Sequence, residues 1–160
     1  EIEHRYPKVQ LIIAHIGRAY CPEDVGNAFD ILRDTRHMHF DFCANTSAYA
    51  MEKLLQAVGP RRVLFGSDLP VARMRMRRIC ENGFYVNLVP RGLYGDVSDD
   101  PHMREVDDAQ GARLSFFMYE ELLAFRQAAE AVKLTADDIA DVMYNNAARL
   151  ITRAGGSLPA

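Results

Sequence analysis

No apolar run in this 160-residue chain approaches the roughly 20 residues that a membrane-spanning helix needs, so no membrane partner is expected. Charge of one sign is also not in excess. The formal net charge is -3, which gives no general attraction to nucleic acid or to anionic lipid. Cysteine is scarce. Cys21, Cys43 and Cys80 are odd in number, widely spaced and without a C-x-x-C pair. Neither a disulfide framework nor a zinc knuckle is expected from them, and a reducing, cytoplasmic compartment fits best. The opening Glu1-Ile2-Glu3-His4-Arg5-Tyr6-Pro7 is polar and carries neither a secretory leader nor an initiating Met. Processing or membership in a longer chain is the expectation. Internal repeats and low-complexity segments are absent.

What is present is enough for a core. The hydrophobic fraction is 49%, with a length suited to one ordinary domain. The most informative stretch is Arg62 to Pro70. Val63, Leu64 and Phe65 read as a strand covered on both faces, and Gly66-Ser67-Asp68 ends it abruptly. Gly66 allows a close backbone approach, and Pro70 blocks further pairing. The run therefore delivers a carboxylate to a strand's C-terminal tip, where α/β proteins keep their chemistry.

Two similar units precede it. Val9 to Ala14 reads as a strand running into His15-Ile16-Gly17-Arg18. Pro22-Glu23-Asp24 opens a helix that continues to about Arg33. Met38 to Cys43 is a second strand, and Asn45-Thr46-Ser47 caps a helix that stops at Gly59-Pro60. Strands and helices alternating at this spacing imply a parallel sheet with right-handed crossovers. Beyond Pro70 the pattern changes. Val71 to Glu81 reads as a basic helix, Phe84 to Val89 as a short pairing segment, and Arg91 to Gln110 as a long loop. Leu114 to Val132 reads as a long helix. Thr135, with Asp138 at the capping-box position, starts another that runs to about Ile151. The tail from Ala154 is expected to fray.

In a parallel sheet the three tips point the same way, and they carry His15, then Cys43 to Thr46, then Ser67 and Asp68. His can act as a base or polarise a carbonyl. Asp can ligate a metal or orient a water. His37-Met38-His39 has the spacing of a ligand pair, but it lies at the strand's entry, about 13 Å from its exit. Asp41 reads equally as an inward polar residue with local partners or as support for a site. Cys43 reads as a small core residue without an identified base. Arg73, Arg75, Arg77 and Arg78 read as a solvated helix face, with a clamp for substrate carboxylates as the sharper alternative. The Asp-rich stretch from Asp96 to Asp108 could answer those arginines.

These segments carry a family resemblance. Pro7 to Gly17 is similar to the P-x-hydrophobic-A-H-x-G-G element of the amidohydrolase-2 group, which includes aminocarboxymuconate-semialdehyde decarboxylase and related nonoxidative decarboxylases and lactone hydrolases. Val58 to Pro70 resembles its G-x-D-R-hydrophobic-F-G-S/T-D-x-P element. Asn145-Asn146-Ala147-Ala148-Arg149-Leu150 resembles its closing helix. The resemblance implies a (β/α)₈ barrel, with these elements as the sixth strand, the eighth strand and the final helix. It implies that Asp68 ligates one divalent metal, zinc by preference, and that His15 works as acid, base or polarising group. Arg18 and Arg73 are candidates for holding substrate. The sequence departs from the group by placing Arg18 where a second glycine usually follows Gly17. The group's remaining ligands, an H-x-H pair and a fifth-strand histidine, have no counterpart here.

The expectation is therefore a single partial domain over 1–160, the C-terminal portion of a (β/α)₈ barrel. Strands six to eight occupy 1–70, a basic segment and loop 71–112, closing helices 113–153, and a frayed tail 154–160. The parent would be a metal-dependent hydrolase or nonoxidative decarboxylase acting on a small carboxylated or cyclic ester or amide substrate. Its open strand edges would call for the N-terminal half of the barrel or a homo-oligomer. The alternative is a small α/β domain that binds a ligand or a protein without chemistry, or an inactive remnant.

Overall fold

The computed structural model describes residues 2–158. Its first sheet has three parallel strands, β1 (Leu11–Ile13), β2 (Met38–Asp41) and β3 (Val63–Leu64), in that spatial order. The expected parallel sheet is present. Each strand is shorter than its apolar run because the chain turns sharply at each C-terminal end. Helix α1 (Ile2–Arg5) stops before Tyr6-Pro7. Between β1 and β2 the single expected helix is two short ones, α2 (Pro22–Val25) and α3 (Ala28–Leu32). They break at Gly26, whose φ of 48° and ψ of -133° leave the helical region. Helix α4 (Ala48–Val58) returns to β3. Ser47 caps it by accepting the Ala50 N–H at 3.2 Å, and Gly59 ends it, as the sequence implies.

Alternation along β2 sorts its side chains. Phe40 and Phe42 turn toward the helices and are 1% exposed. Asp41 and Cys43 turn to the opposite face. The helical side is filled by Phe40, Phe42, Met51, Leu54 and Val63, joined by Ala124, Phe125 and Ala128. Phe42 stacks on Phe125 with centroids 4.9 Å apart and planes 7° from parallel. On β1, Ile12 is 46% exposed, and the strand's outer edge has no strand partner among the described residues.

Residues after Pro70 form a second sheet, which corrects the sequence reading. Val71–Arg73 is only a 3₁₀ turn. Strands β4 (Arg77–Glu81), β5 (Phe84–Pro90) and β6 (Met103–Val106) follow, in the order β4-β5-β6. The β4–β5 pair is an antiparallel hairpin closed at Asn82-Gly83, where both residues have positive φ. An Asn-Gly turn between two pairing segments is a hairpin signal, and it overrides the helical reading of the arginines. β5 and β6 are parallel, so part of the expected long loop is strand. Helix α5 (Asp108–Gly111) then leads to α6 (Phe117–Val132).

The closing helices match expectation more closely. Thr135 and Asp138 form the capping box of α7 (Ala136–Ala140). One π-helical turn, Asp141–Asn145, joins it to α8 (Asn146–Arg153). The buried Asn146 amide donates to the carbonyls of Pro60 and Val63, each at 2.8 Å. The Phe65 N–H donates to the Val142 carbonyl at 2.9 Å. The final segment thus satisfies backbone groups along β3. Residues 154–158 are exposed, and the rest of the tail lies outside the described residues. No helix among the described residues is long and apolar enough to cross a membrane.

The cysteine expectation fails. Cys21 and Cys80 form a disulfide between the loop after β1 and strand β4. Their 59-residue separation hides the pairing in sequence, because proximity arises only when the second sheet folds against the first. The argument for a reducing compartment loses its ground. Cys43 is the free, buried cysteine. Replacing Cys80 with Ser should cost about 2–4 kcal/mol of stability, the usual range for a native disulfide. Urea unfolding of the variant and of the oxidised and reduced protein checks this. The reduced protein should match the variant.

Candidate functional site

All three strands of the first sheet end in left-handed backbone at residues other than glycine. After β1, His15 (φ 56°), Ile16 (φ 52°), Gly17 (φ 64°) and Arg18 (φ 67°) are consecutive. After β2 comes Ala44 (φ 46°), and after β3 comes Asp68 (φ 47°). Such geometry costs roughly 1–2 kcal/mol per non-glycine residue, and a β-branched residue like Ile16 is an outlier there. It persists only where surrounding contacts hold it, and it concentrates at functional sites. The contacts are visible. The Asp41 carboxylate accepts the His15 backbone N–H at 2.8 Å and the Cys43 N–H at 3.2 Å. The fully buried Asn45 amide donates to the Ala19 carbonyl at 2.9 Å, tying the second tip to the first.

These turns bring His15, Asp41 and Cys43 together, with one donor atom of each within 4.8 Å of the others. His15 Nδ1 lies 3.0 Å from the Cys43 carbonyl oxygen and 3.2 Å from Cys43 Sγ. A carbonyl only accepts, so Nδ1 donates to it and Nε2 is the ring nitrogen left free. The Cys43 thiol donates to Asp41 Oδ1 at 2.7 Å. Burial, with the Asp41 hydrogen bond and charge, pushes the thiol up to about 12. It is therefore a protonated thiol, not a free nucleophile. Gly66 makes this approach feasible. A Cβ there would stand 3.0 Å from Cys43 Cβ, so the close contact the sequence implied is with Cys43.

Two further residues join the site that the sequence reading passed over. Glu121 on α6 is wholly buried, with Oε2 accepting the Ala44 N–H at 3.2 Å and Oε1 without a partner. Burial above all, then the Asp41 and Asp68 charges, pushes its carboxyl up to about 8. A signal existed. Phe117, Glu121, Ala124, Phe125 and Ala128 share one helical stripe, and a carboxylate in an apolar stripe is anomalous. Arg78 was read as part of a solvated face. Instead its guanidinium lies 4.0 Å from the Tyr20 ring centroid and 4.9 Å from those of Tyr85 and Phe117. It donates to the Ala44 carbonyl at 2.6 Å. It thus clamps the second strand tip to the second sheet.

The other expected residues are placed as follows. Asp68 stands at the third tip, half-buried, and is not one of the clustered donors. Its charge reaches Cys43, Glu121 and Tyr20, whose phenol burial pushes up. Arg18 is exposed, with Nη2 3.3 Å from the Tyr85 hydroxyl. Arg73 is exposed and makes no side-chain hydrogen bond among the described residues. The basic cluster is dispersed rather than a helix face. Arg75 binds the carbonyls of Leu114 and Gly111, and Arg77 pairs with Glu120 at 3.4 Å. None of its ion pairs among the described residues involves the Asp96–Asp108 stretch. His37 and His39 lie at the opposite end of the sheet.

Acid and imidazole thus stand at the C-terminal end of a parallel sheet, where α/β proteins carry their active sites. The family model described as Amidohydrolase matches residues 2–153, and the chain belongs to that amidohydrolase family of metal-dependent hydrolases. No curated protein and no solved structure gives a significant match. The family typically uses divalent metals, and the residues suit one. His15, Asp41 and Cys43 bring a nitrogen, a carboxylate and a sulfur donor into one cluster. Binding would require the Cys43 proton to leave, as it does when a metal takes a thiol.

Glu121 generates a pH dependence. Its folded value of about 8 lies above the ordinary 4.5, so the folded state holds a proton the unfolded chain gives up. That contribution to stability is full below about 4.5 and is lost as pH rises through about 8. Denaturant unfolding between about pH 5 and pH 9 should show the decline. Glu121→Gln, which cannot ionise, should flatten it.

Proposed function

We propose that this chain supplies strands six to eight of a (β/α)₈ barrel, and that the assembled enzyme is a metal-dependent hydrolase or nonoxidative decarboxylase. The substrate class is a small carboxylated molecule or a cyclic ester or amide. The observation that carries the reading is the convergence of His15, Asp41 and Cys43 at the C-terminal strand ends, with Asp68 on the neighbouring tip, in a member of this family. The exposed Ile12 and the edge of β1, without a strand partner among the described residues, support further strands beside it, from the N-terminal half of the barrel or a second copy.

Asp68, with Asp41 and Cys43 on the neighbouring strand, would hold the metal, zinc by donor type. When bound, it supplies a Lewis acid and a water of lowered pKa. The chain's own residues do the rest. Nε2 of His15, the ring nitrogen left free, takes or returns a proton at the reacting carbon or carbonyl. Asp68 accepts the proton of the attacking water. Glu121, protonated at neutral pH, holds the Ala44 turn without adding negative charge to the site. Arg18 and Arg73 are exposed guanidiniums suited to substrate carboxylates.

A second reading is a non-catalytic binding domain. It is favoured by the Cys43 thiol, which already satisfies Asp41 at 2.7 Å. Metal analysis separates the two. Stoichiometric zinc that is lost in Cys43→Ala supports the site, and a stable, metal-free complete protein supports the binding domain. For the enzyme, Asp68→Asn and His15→Asn should each lower kcat by about 10²–10⁴ on a panel of carboxylated and lactone substrates, read as CO₂ release and ring opening. Near-normal turnover in Asp68→Asn would sink the assignment.

A further inference from the structure

At the other end of the first sheet, where its strands begin, lies a cavity of about 340 Å³. That is within the range of small-molecule pockets. Five arginines line it: Arg36, Arg61, Arg62, Arg149 and Arg153, with His37 and His39 and no carboxylate. A protein of net charge -3 has gathered a concentrated positive field here.

Two of the arginines have structural partners. Arg62 donates through Nε to the Val58 carbonyl at 3.1 Å and through Nη1 to the Thr35 hydroxyl at 3.0 Å. Arg149 pairs with Asp141 at 3.0 Å. The nearby Glu3 carboxylate is taken by the backbone N–H groups of Arg36 and His37. Arg36, Arg61 and Arg153 have no ion-pair partner among the described residues. They come from three elements: the segment before β2, the turn before β3 and the last turn of α8. A helix C-terminus explains a base at Arg153, but not the other two. The convergence also bears on His39. Burial first, then the Arg62 and Arg153 charges, holds its imidazole below the ordinary range, and Nδ1 is buried without a partner. Asp141, Asp138 and Glu3 offset part of this field from outside the cavity, but no carboxylate lines it.

We infer that this cavity binds a small phosphate-bearing anion. Arginine forks match phosphate oxygens with paired N–H donors, and the fixed Arg62 guanidinium gives such a ligand a pre-organised wall. The site is concave and bounded rather than a stripe along the surface, which fits a compact ligand and not a nucleic-acid backbone. It lies at the opposite strand ends from His15 and does not depend on the catalytic reading.

The experiment is calorimetric titration of the protein with inorganic phosphate and with pyrophosphate, at constant ionic strength in a chloride background. Saturable binding is expected, tighter for pyrophosphate. Arg61→Gln combined with Arg153→Gln should weaken it at least tenfold. Both side chains are exposed, so the fold should survive, and unchanged unfolding curves verify that. The exposed Arg33→Gln, whose partner is Asp30, should leave binding unchanged. The proposal is overturned if chloride competes at equal concentration, if the double variant binds like the parent, or if a short single-stranded oligonucleotide binds more tightly than pyrophosphate.

Discussion

The Asp41 carboxylate is the constraint on which the candidate site depends. One oxygen accepts the backbone N–H of His15, the N–H of Cys43 and the thiol of Cys43. These bonds offset the cost of a left-handed run through His15 and Ile16, which no local propensity favours. With that turn in place, the imidazole faces the second strand's exit, and Nδ1 is fixed against Cys43. Gly66 admits the third strand to the same point because any side chain there would meet Cys43 Cβ. A short carboxylate in mid-sheet therefore sets the backbone, the ring orientation and the close approach together.

The second sheet turns this cluster into a site with walls. Arg78 reaches from β4 to the Ala44 carbonyl, and Glu121 reaches from α6 to the Ala44 N–H. Both polar groups of one residue's backbone are thus held by side chains from distant elements. The Cys21–Cys80 disulfide and the edge-to-face Tyr20–Tyr85 pair, with centroids 4.9 Å apart, join the same two layers. Charge is arranged in opposite senses at the two sheet ends. Asp41 and Asp68 stand at the exits, where their charges add to burial in raising the Glu121 carboxyl. Arginines gather at the entrances, where the Arg62 and Arg153 charges add to burial in holding the His39 imidazole down.

Much of the first half was legible because its signals are local. Apolar runs marked the three strands, Ser47 and Gly59 marked the ends of α4, and Thr135 with Asp138 marked the start of α7. His15 and Asp68 were legible as strand-tip residues because parallel topology alone puts such tips on one side. The region after Pro70 was misread for a physical reason. Arginine has good helix propensity, but the Asn82-Gly83 turn and pairing with the apolar β5 decide for strand. Glu121 and Arg78 were missed because each looks ordinary in its own segment and becomes unusual only through what it is buried among.

The sequence by itself determined the order of strands and helices, their caps, the tips that carry His15 and Asp68, and the likeness to amidohydrolases. Those properties depend on periodicity, on turn chemistry and on short motifs, all of which act within a few residues. Only the tertiary structure decided that Asp41 and Cys43 stand with His15, that Glu121 is a neutral acid at the same place, that Cys21 meets Cys80, and that five arginines share one cavity. These depend on distances between residues far apart in the chain. Desolvation and electrostatic coupling follow such distances, and neither exists until the layers close.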